Sequence, residues 1–158
     1  MKIYSRSLLM FVVLGSLALG SAPAARADWA YTHWGMTPEQ VVAASGGTVT
    51  LLTPSERTRN EYDGWELAAQ GFYATGSLRL PVGFTFDTKG GGLKCVMFNA
   101  MGDEVAALRL IMQEQHGKPA RESSFASSTT ATWHTPDNIE LLAGEQPLAA
   151  VVTQCRPK

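Results

Sequence analysis

Between Leu78 and Asp87 apolar and polar residues alternate without a break. Leu78, Leu80, Val82, Phe84 and Phe86 fall on one side, and Arg79, Pro81, Gly83, Thr85 and Asp87 on the other. A period of two marks a strand with one core face and one polar face. Pro81 lacks the N–H that a central strand needs, which predicts an edge position or a distortion there. Asp87-Thr88-Lys89-Gly90-Gly91-Gly92 reads as a hairpin turn into a second strand, Leu93 to Phe98. Thr48 to Leu52 and Trp65 to Thr75 are strand-like, with Gly71 expected to mark a bulge. Three more strands close the chain at Thr129 to His134, Ile139 to Ala143 and Leu148 to Gln154, separated by turns at 135–138 and 144–147. Thr53 to Gly64 and the Ser-rich Arg121 to Ser128 show no apolar period and read as loops.

Two stretches carry helix signals instead. Thr37 and Gln40 stand at capping-box spacing, and Pro38 suits the first helical position. Met36 is placed to pack on Val41 as a staple, and Gly46-Gly47 stops the helix, which spans Pro38 to about Ser45. Further on, Val105, Leu108, Ile111 and Met112 form an apolar stripe at helical spacing. Gly102 or Asp103 caps that helix, and Gly117 and Pro119 end it. The order is a helix, about four strands, a helix and three strands. It predicts an α+β domain: an antiparallel sheet of about six to seven strands with two helices packed on one face. The halves look loosely alike, down to Met36-Thr37-Pro38-Glu39 and Met101-Gly102-Asp103-Glu104 before each helix.

The first 27 residues read as an export signal. Lys2 and Arg6 precede a short apolar run from Leu8 to Leu19, and Ala25-Arg26-Ala27 is a small-x-small cleavage site. The run is too short to span a bilayer, which takes about 20 apolar residues. Cleavage after Ala27 leaves a single domain, 28–158, in the periplasm or secreted. Three of the 13 basic residues and none of the 14 acidic ones lie in the signal. Ten basic residues then face 14 acidic ones, a net charge of −4 that disfavours nucleic acid and anionic membranes as partners. An even pair of cysteines outside the cytoplasm, Cys95 and Cys155, reads first as a disulfide and otherwise as two buried thiols.

Catalytic signatures are sparse. His33, His116 and His134 show no ligand spacing, and no C-x-x-C occurs, so no metal is expected. Cys95 with His134 is a conceivable nucleophile pair, but Cys95 sits in an apolar strand, where thiols are inert. Gly90-Gly91-Gly92 precedes no helix and so makes no phosphate loop. No G-x-S-x-G elbow is present. No cofactor and no catalytic residue are assigned.

Trp34-Gly35-Met36-Thr37, opening a short helix, resembles the lead-in of small secreted bacterial domains related to β-lactamase inhibitory protein and to the small lipoproteins of outer-membrane assembly. Phe84-Thr85-Phe86-Asp87, Gly92-Leu93, His116-Gly117-Lys118-Pro119, Thr132-Trp133 and Ile139-Glu140-Leu141 are similar to stretches of uncharacterised secreted proteins of this shape. The resemblance implies a binding module and not an enzyme. Unlike the lipoproteins, the chain has no lipid-accepting cysteine near its signal, because its first cysteine is Cys95. The leading expectation is a non-catalytic module that binds another periplasmic or extracellular protein. A carrier of a small apolar ligand or lipid between sheet and helices is the alternative, and a hydrolase without a recognisable motif the next. Leu93 to Phe98 and Leu148 to Val152 are apolar on both faces, and two helices cover one side of a sheet. Unless a loop covers the other side, it is the interaction surface, and the expectation places it near Val96 and Phe98.

Overall fold

The computed structural model describes residues 31–75, 78–134, 136–145 and 148–157; the expected signal and its cleavage site lie outside them. Helix α1 (Pro38–Ala44) precedes strands β1 (Val49–Leu51), β2 (Thr58–Asn60), β3 (Trp65–Thr75), β4 (Leu78–Asp87) and β5 (Leu93–Met101). Helix α2 (Glu104–His116) precedes β6 (Arg121–Phe125), β7 (Ser128–His134), β8 (Asn138–Glu145) and β9 (Leu148–Cys155). The fold is α+β, with one antiparallel sheet of nine strands ordered β1-β3-β4-β5-β9-β8-β7-β6, and with β2 paired to β3 beside β1. The expected six to seven strands fell short by β2 and β6, which form inside the two segments read as loops. Neither buries a face: all five residues of β6 are exposed, as are Thr58 and Arg59 of β2. Backbone pairing to β7 and β3 holds them, and such pairing leaves no apolar period to read.

The sheet order is symmetric about its centre. Each half runs outward from its own last strand, and those last strands, β5 and β9, pair with one another. Cys95 stands opposite Cys155, Val96 opposite Gln154, Phe98 opposite Val152 and Ala100 opposite Ala150. The Arg156 N–H donates to the Lys94 carbonyl at 2.9 Å, which makes Cys95 and Cys155 a non-hydrogen-bonded pair. Such pairs bring the backbones closest, and here the Cα atoms are 4.1 Å apart and joined by a disulfide.

Alternation along the strands separates a packed face from the rest. Leu80, Val82, Phe84 and Phe86 of β4, Val96, Phe98 and Ala100 of β5, Ala150 and Val152 of β9, and Ile139 and Leu141 of β8 belong to one buried cluster. Val41 of α1 and Val105, Leu108 and Met112 of α2 belong to the same cluster. Helix α1 lies against β1 and β3, and α2 against β5 and β9. Burying each large apolar side chain contributes about 1.5–3 kcal/mol. Val96 and Phe98 are completely buried, and the Phe98 ring meets Tyr73 edge-on at 5.9 Å between centroids. Their expected role as an accessible surface is therefore corrected. From Val96 onward the even-numbered residues of β5 face the core, and the accessible set is Met97, Asn99 and Met101.

Local irregularities have local causes. Pro81 lies on a stretch of β4 paired to β3 and just ahead of the pairing to β5, which begins at Val82. The β3 bulge falls at Ala68 and not at the expected Gly71. Gly71 serves a close approach instead, since a Cβ there would sit 2.1 Å from the Thr48 carbonyl oxygen. In the β4–β5 turn the Asp87 carboxylate accepts the N–H groups of Lys89 at 2.7 Å and Gly90 at 3.0 Å. Those bonds, Gly90's first, hold its pKa below the ordinary carboxylate value.

The lead-in to α1 is bound to the far end of the chain. The capping box forms as the spacing implies: Thr37 Oγ1 accepts from Gln40 N, and Gln40 Oε1 accepts from Thr37 N. Caps of this kind contribute about 1 kcal/mol. Gly35 N donates to the Leu93 carbonyl and Leu93 N to the Met36 carbonyl, so the lead-in pairs with the start of β5. A Cβ on Gly92 would lie 2.8 Å from Gly35 Cα, so the approach requires glycine at 92, while Gly35 takes a positive φ of 88°. The Trp34 indole N–H donates to Asp137 Oδ1 at 2.9 Å, and the Gln154 amide donates to Asp137 Oδ2 at 2.6 Å. Asp137 and Gln154 are both buried. One carboxylate thus ties the segment ahead of α1 to the β7–β8 turn and to β9. At the end of α2, the Trp133 indole donates to the Gly117 carbonyl at 2.9 Å.

Two outcomes follow from these ties. Asp137→Ala leaves two donors without their acceptor and should cost about 2–4 kcal/mol, with Asp137→Asn, which keeps one acceptor oxygen, costing less; denaturant melts of the three proteins check the order. The disulfide closes a 60-residue separation. Replacing both cysteines by serine should lower stability by about 4 kcal/mol on the chain-entropy account, read as a fall in the urea midpoint.

Candidate functional site

The strand residues that alternate with the core form rows across the sheet. One row takes a residue from each of eight strands: Thr50, Gln70, Gly83, Met97, Thr153, Glu140, Thr132 and Arg121 stand opposite one another in that order. Directly opposed residues of neighbouring strands project to the same side. A second row, Asn99, Val151, Leu142, Thr130 and Ser123, runs beside it. Thr50, Gln70, Asn99, Glu140 and Leu142 are exposed, and Met97, Val151 and Thr153 are half-buried. In the longer row only the last strands bring charge, with Glu140 and Arg121. The centre is Met, Thr, Gln and Gly.

Two hollows lie along these rows. The first, of about 360 Å³, is lined by Thr50, Gln70, Phe72, Gly83, Met97 and Asn99 among others. Gly83 forms part of its floor. A Cβ there would reach to 2.9 Å from Leu67 Cδ1 and 3.9 Å from Met97 Cε, so the missing side chain makes the depth. Phe72 is 46% exposed at the rim, with the Arg79 guanidinium 4.1 Å above its ring centre, within cation–π range. The second hollow, of about 390 Å³, is lined by Thr132, Asn138, Glu140, Thr153 and Cys155. Met97 and Thr153, opposite each other at the centre of the sheet, each line one of the two hollows.

The residues singled out by sequence fall into separate places. Cys95 and Cys155 are bonded to each other, so Cys95 carries no thiol for a nucleophile. Val96 and Phe98 lie in the core behind the row. His33 is exposed ahead of α1, His116 ends α2, and His134 ends β7. Among the described residues, no three His, Cys, Asp or Glu side chains converge as metal ligands would. A charged cleft beside α1 is held by ion pairs: Arg57 bonds Glu66 at 3.2 Å and the Leu52 carbonyl at 3.2 Å, and Arg59 bonds Glu61 at 2.9 Å. Arg57 thus ties the start of β2 to β3, while the Arg59–Glu61 pair stays between β2 and its turn. The row itself escaped the sequence reading because its members are ordinary strand residues. The one available signal was the polar side of the β4 alternation, which contains Gly83.

No helix among the described residues is long and apolar enough to cross a membrane. Comparisons of the chain with protein families, curated proteins and solved structures give no significant match.

Proposed function

We propose that the chain is a non-catalytic binding module that acts outside the cytoplasm and holds a partner protein on the open side of its sheet. In this reading both helices cover one face, and the row through Met97 lies on the other. The observation that carries it is that row: seven of its eight strands contribute accessible, mostly uncharged side chains to one continuous surface, and Gly83 of β4 forms its floor. Seven interstrand steps of about 4.8 Å give it a length of roughly 34 Å. That is the scale of a protein footprint, about 800 Å² per partner, and larger than a small ligand needs. Against the carrier reading, the space between helices and sheet is occupied by Phe84, Phe98, Leu80 and Leu93, each essentially buried. Export rests on the signal pattern of residues 1–27 and is supported by the disulfide, which persists in oxidising compartments.

The test is paired substitution. Met97→Glu places a charge at the centre of the row. Leu110→Glu changes an exposed position of α2, 60% accessible, and serves as the control. A partner cross-linked to the wild-type protein in periplasmic extract should be lost with Met97→Glu and kept with Leu110→Glu, while both variants melt within a few degrees of wild type. Retention of the partner by a folded Met97→Glu protein would contradict the proposal.

A further inference from the structure

The two edges of the sheet are built differently. On one side the edge is split between β1 and β2, each of three residues, with the chain leaving the sheet between them. Short, interrupted edges resist pairing with another strand. On the other side β6 offers five consecutive residues, Arg121-Glu122-Ser123-Ser124-Phe125, all exposed and with no proline.

The register of β6 fixes which backbone groups face outward. It pairs with β7 in unbroken register from Arg121–Thr132 to Phe125–Ser128, closed by the two-residue loop Ala126-Ser127. Across so short a loop, Phe125 and Ser128 must exchange both backbone hydrogen bonds. Alternation gives Ser123 and Arg121 the same inward bonds. The N–H and C=O groups of Glu122 and Ser124 therefore point away from the sheet, with no strand beyond them among the described residues.

The side chains around these groups are self-complementary. An antiparallel second copy of β6, centred on Ser123, would set Glu122 of one chain opposite Ser124 of the other, and the reverse. These are two hydrogen-bonded pairs and four backbone hydrogen bonds. Ser123 would meet its own copy on the two-fold axis, where a small residue is required. Arg121 would face the other chain's Phe125 in a non-hydrogen-bonded pair, where side chains are closest. Phe125 is 87% exposed, and the chain already stacks an arginine on an exposed phenylalanine at Arg79 and Phe72. No like charges are brought face to face, because Glu122 is paired with Arg109 of α2 within its own chain.

We infer that β6 is a self-association edge, through which two copies of this chain join into a symmetric dimer with one continuous sheet. The contact is isologous and closes on itself, so it stops at two copies. It rests on backbone geometry and is independent of what the open face binds.

The experiment uses protein recovered from the periplasm or medium of a bacterium expressing the full chain. Sedimentation velocity over a concentration series should show a monomer–dimer equilibrium. Being small, the contact should be weak, so the dimer should grow in with concentration and dissociate on dilution. Hydrogen exchange should show the amides of Glu122 and Ser124 gaining protection as concentration rises. Ser124→Pro removes an outward N–H that β7 does not use, and Phe125→Arg puts two arginines face to face; each should weaken the dimer by about tenfold or more. Phe125→Arg alters an exposed side chain and decides the matter if the proline variant loses its hairpin. A monomer throughout the series overturns the inference and leaves the edge to a strand of another protein. A dimer that persists in a folded Phe125→Arg variant, or protects other amides instead, overturns it as well.

Discussion

Pairing of β5 with β9 is the constraint on which the rest of the molecule depends. Without it the chain would form two small sheets, each with one helix and with its best apolar strand at an edge. With it, the most apolar strands of both halves become the centre of one sheet, and the seven pairs from Cys95–Cys155 to Met101–Ala149 set the register of everything outward. Polar groups at one end of the seam are bound as well as buried. Gln154, opposite Val96, gives its amide to Asp137, which also receives Trp34. The disulfide lies one residue further on, and the Gly35–Met36 lead-in closes on Leu93 nearby. A buried carboxylate costs stability unless its oxygens are satisfied; here its donors, Trp34 and Gln154, come from opposite ends of the described residues. The same contacts that neutralise the cost therefore hold the halves together.

Because the seam is continuous, so is the surface on its other parity. Met97 and Thr153 oppose each other at the centre of the sheet, and the hollows on either side belong to different halves of the chain. In the proposed reading this surface works through area and shape, with Gly83 supplying depth and Phe72 and Arg79 a rim. The disulfide at the border of the second hollow stiffens the surface as well as the fold.

Much of the architecture was legible because burial leaves a period. The β4 alternation, the Val105–Leu108–Met112 stripe and the Thr37–Gln40 capping box each name their element. The chain order of helices and strands then gives an α+β class, and an even pair of cysteines behind an export signal gives the disulfide. What burial does not touch was illegible. Strands β2 and β6 are held by backbone bonds, which any residue can make. The assignment of Val96 and Phe98 to an open face failed for a related reason. A strand apolar on both sides does not say which parity meets the core, and β5 turns Val96 and Phe98 inward while showing Met97 and Asn99. The row across eight strands needs the register of seven strand pairs, and only folding establishes it.

Native-state hydrogen exchange with increasing urea tests the central role of the seam. If β5–β9 pairing unites the halves, the amides of β5 and β9 should exchange through global unfolding alone, at one free energy shared with β4 and β8. Separate free energies for the two halves, or seam amides that open before those of β4 and β8, would contradict it.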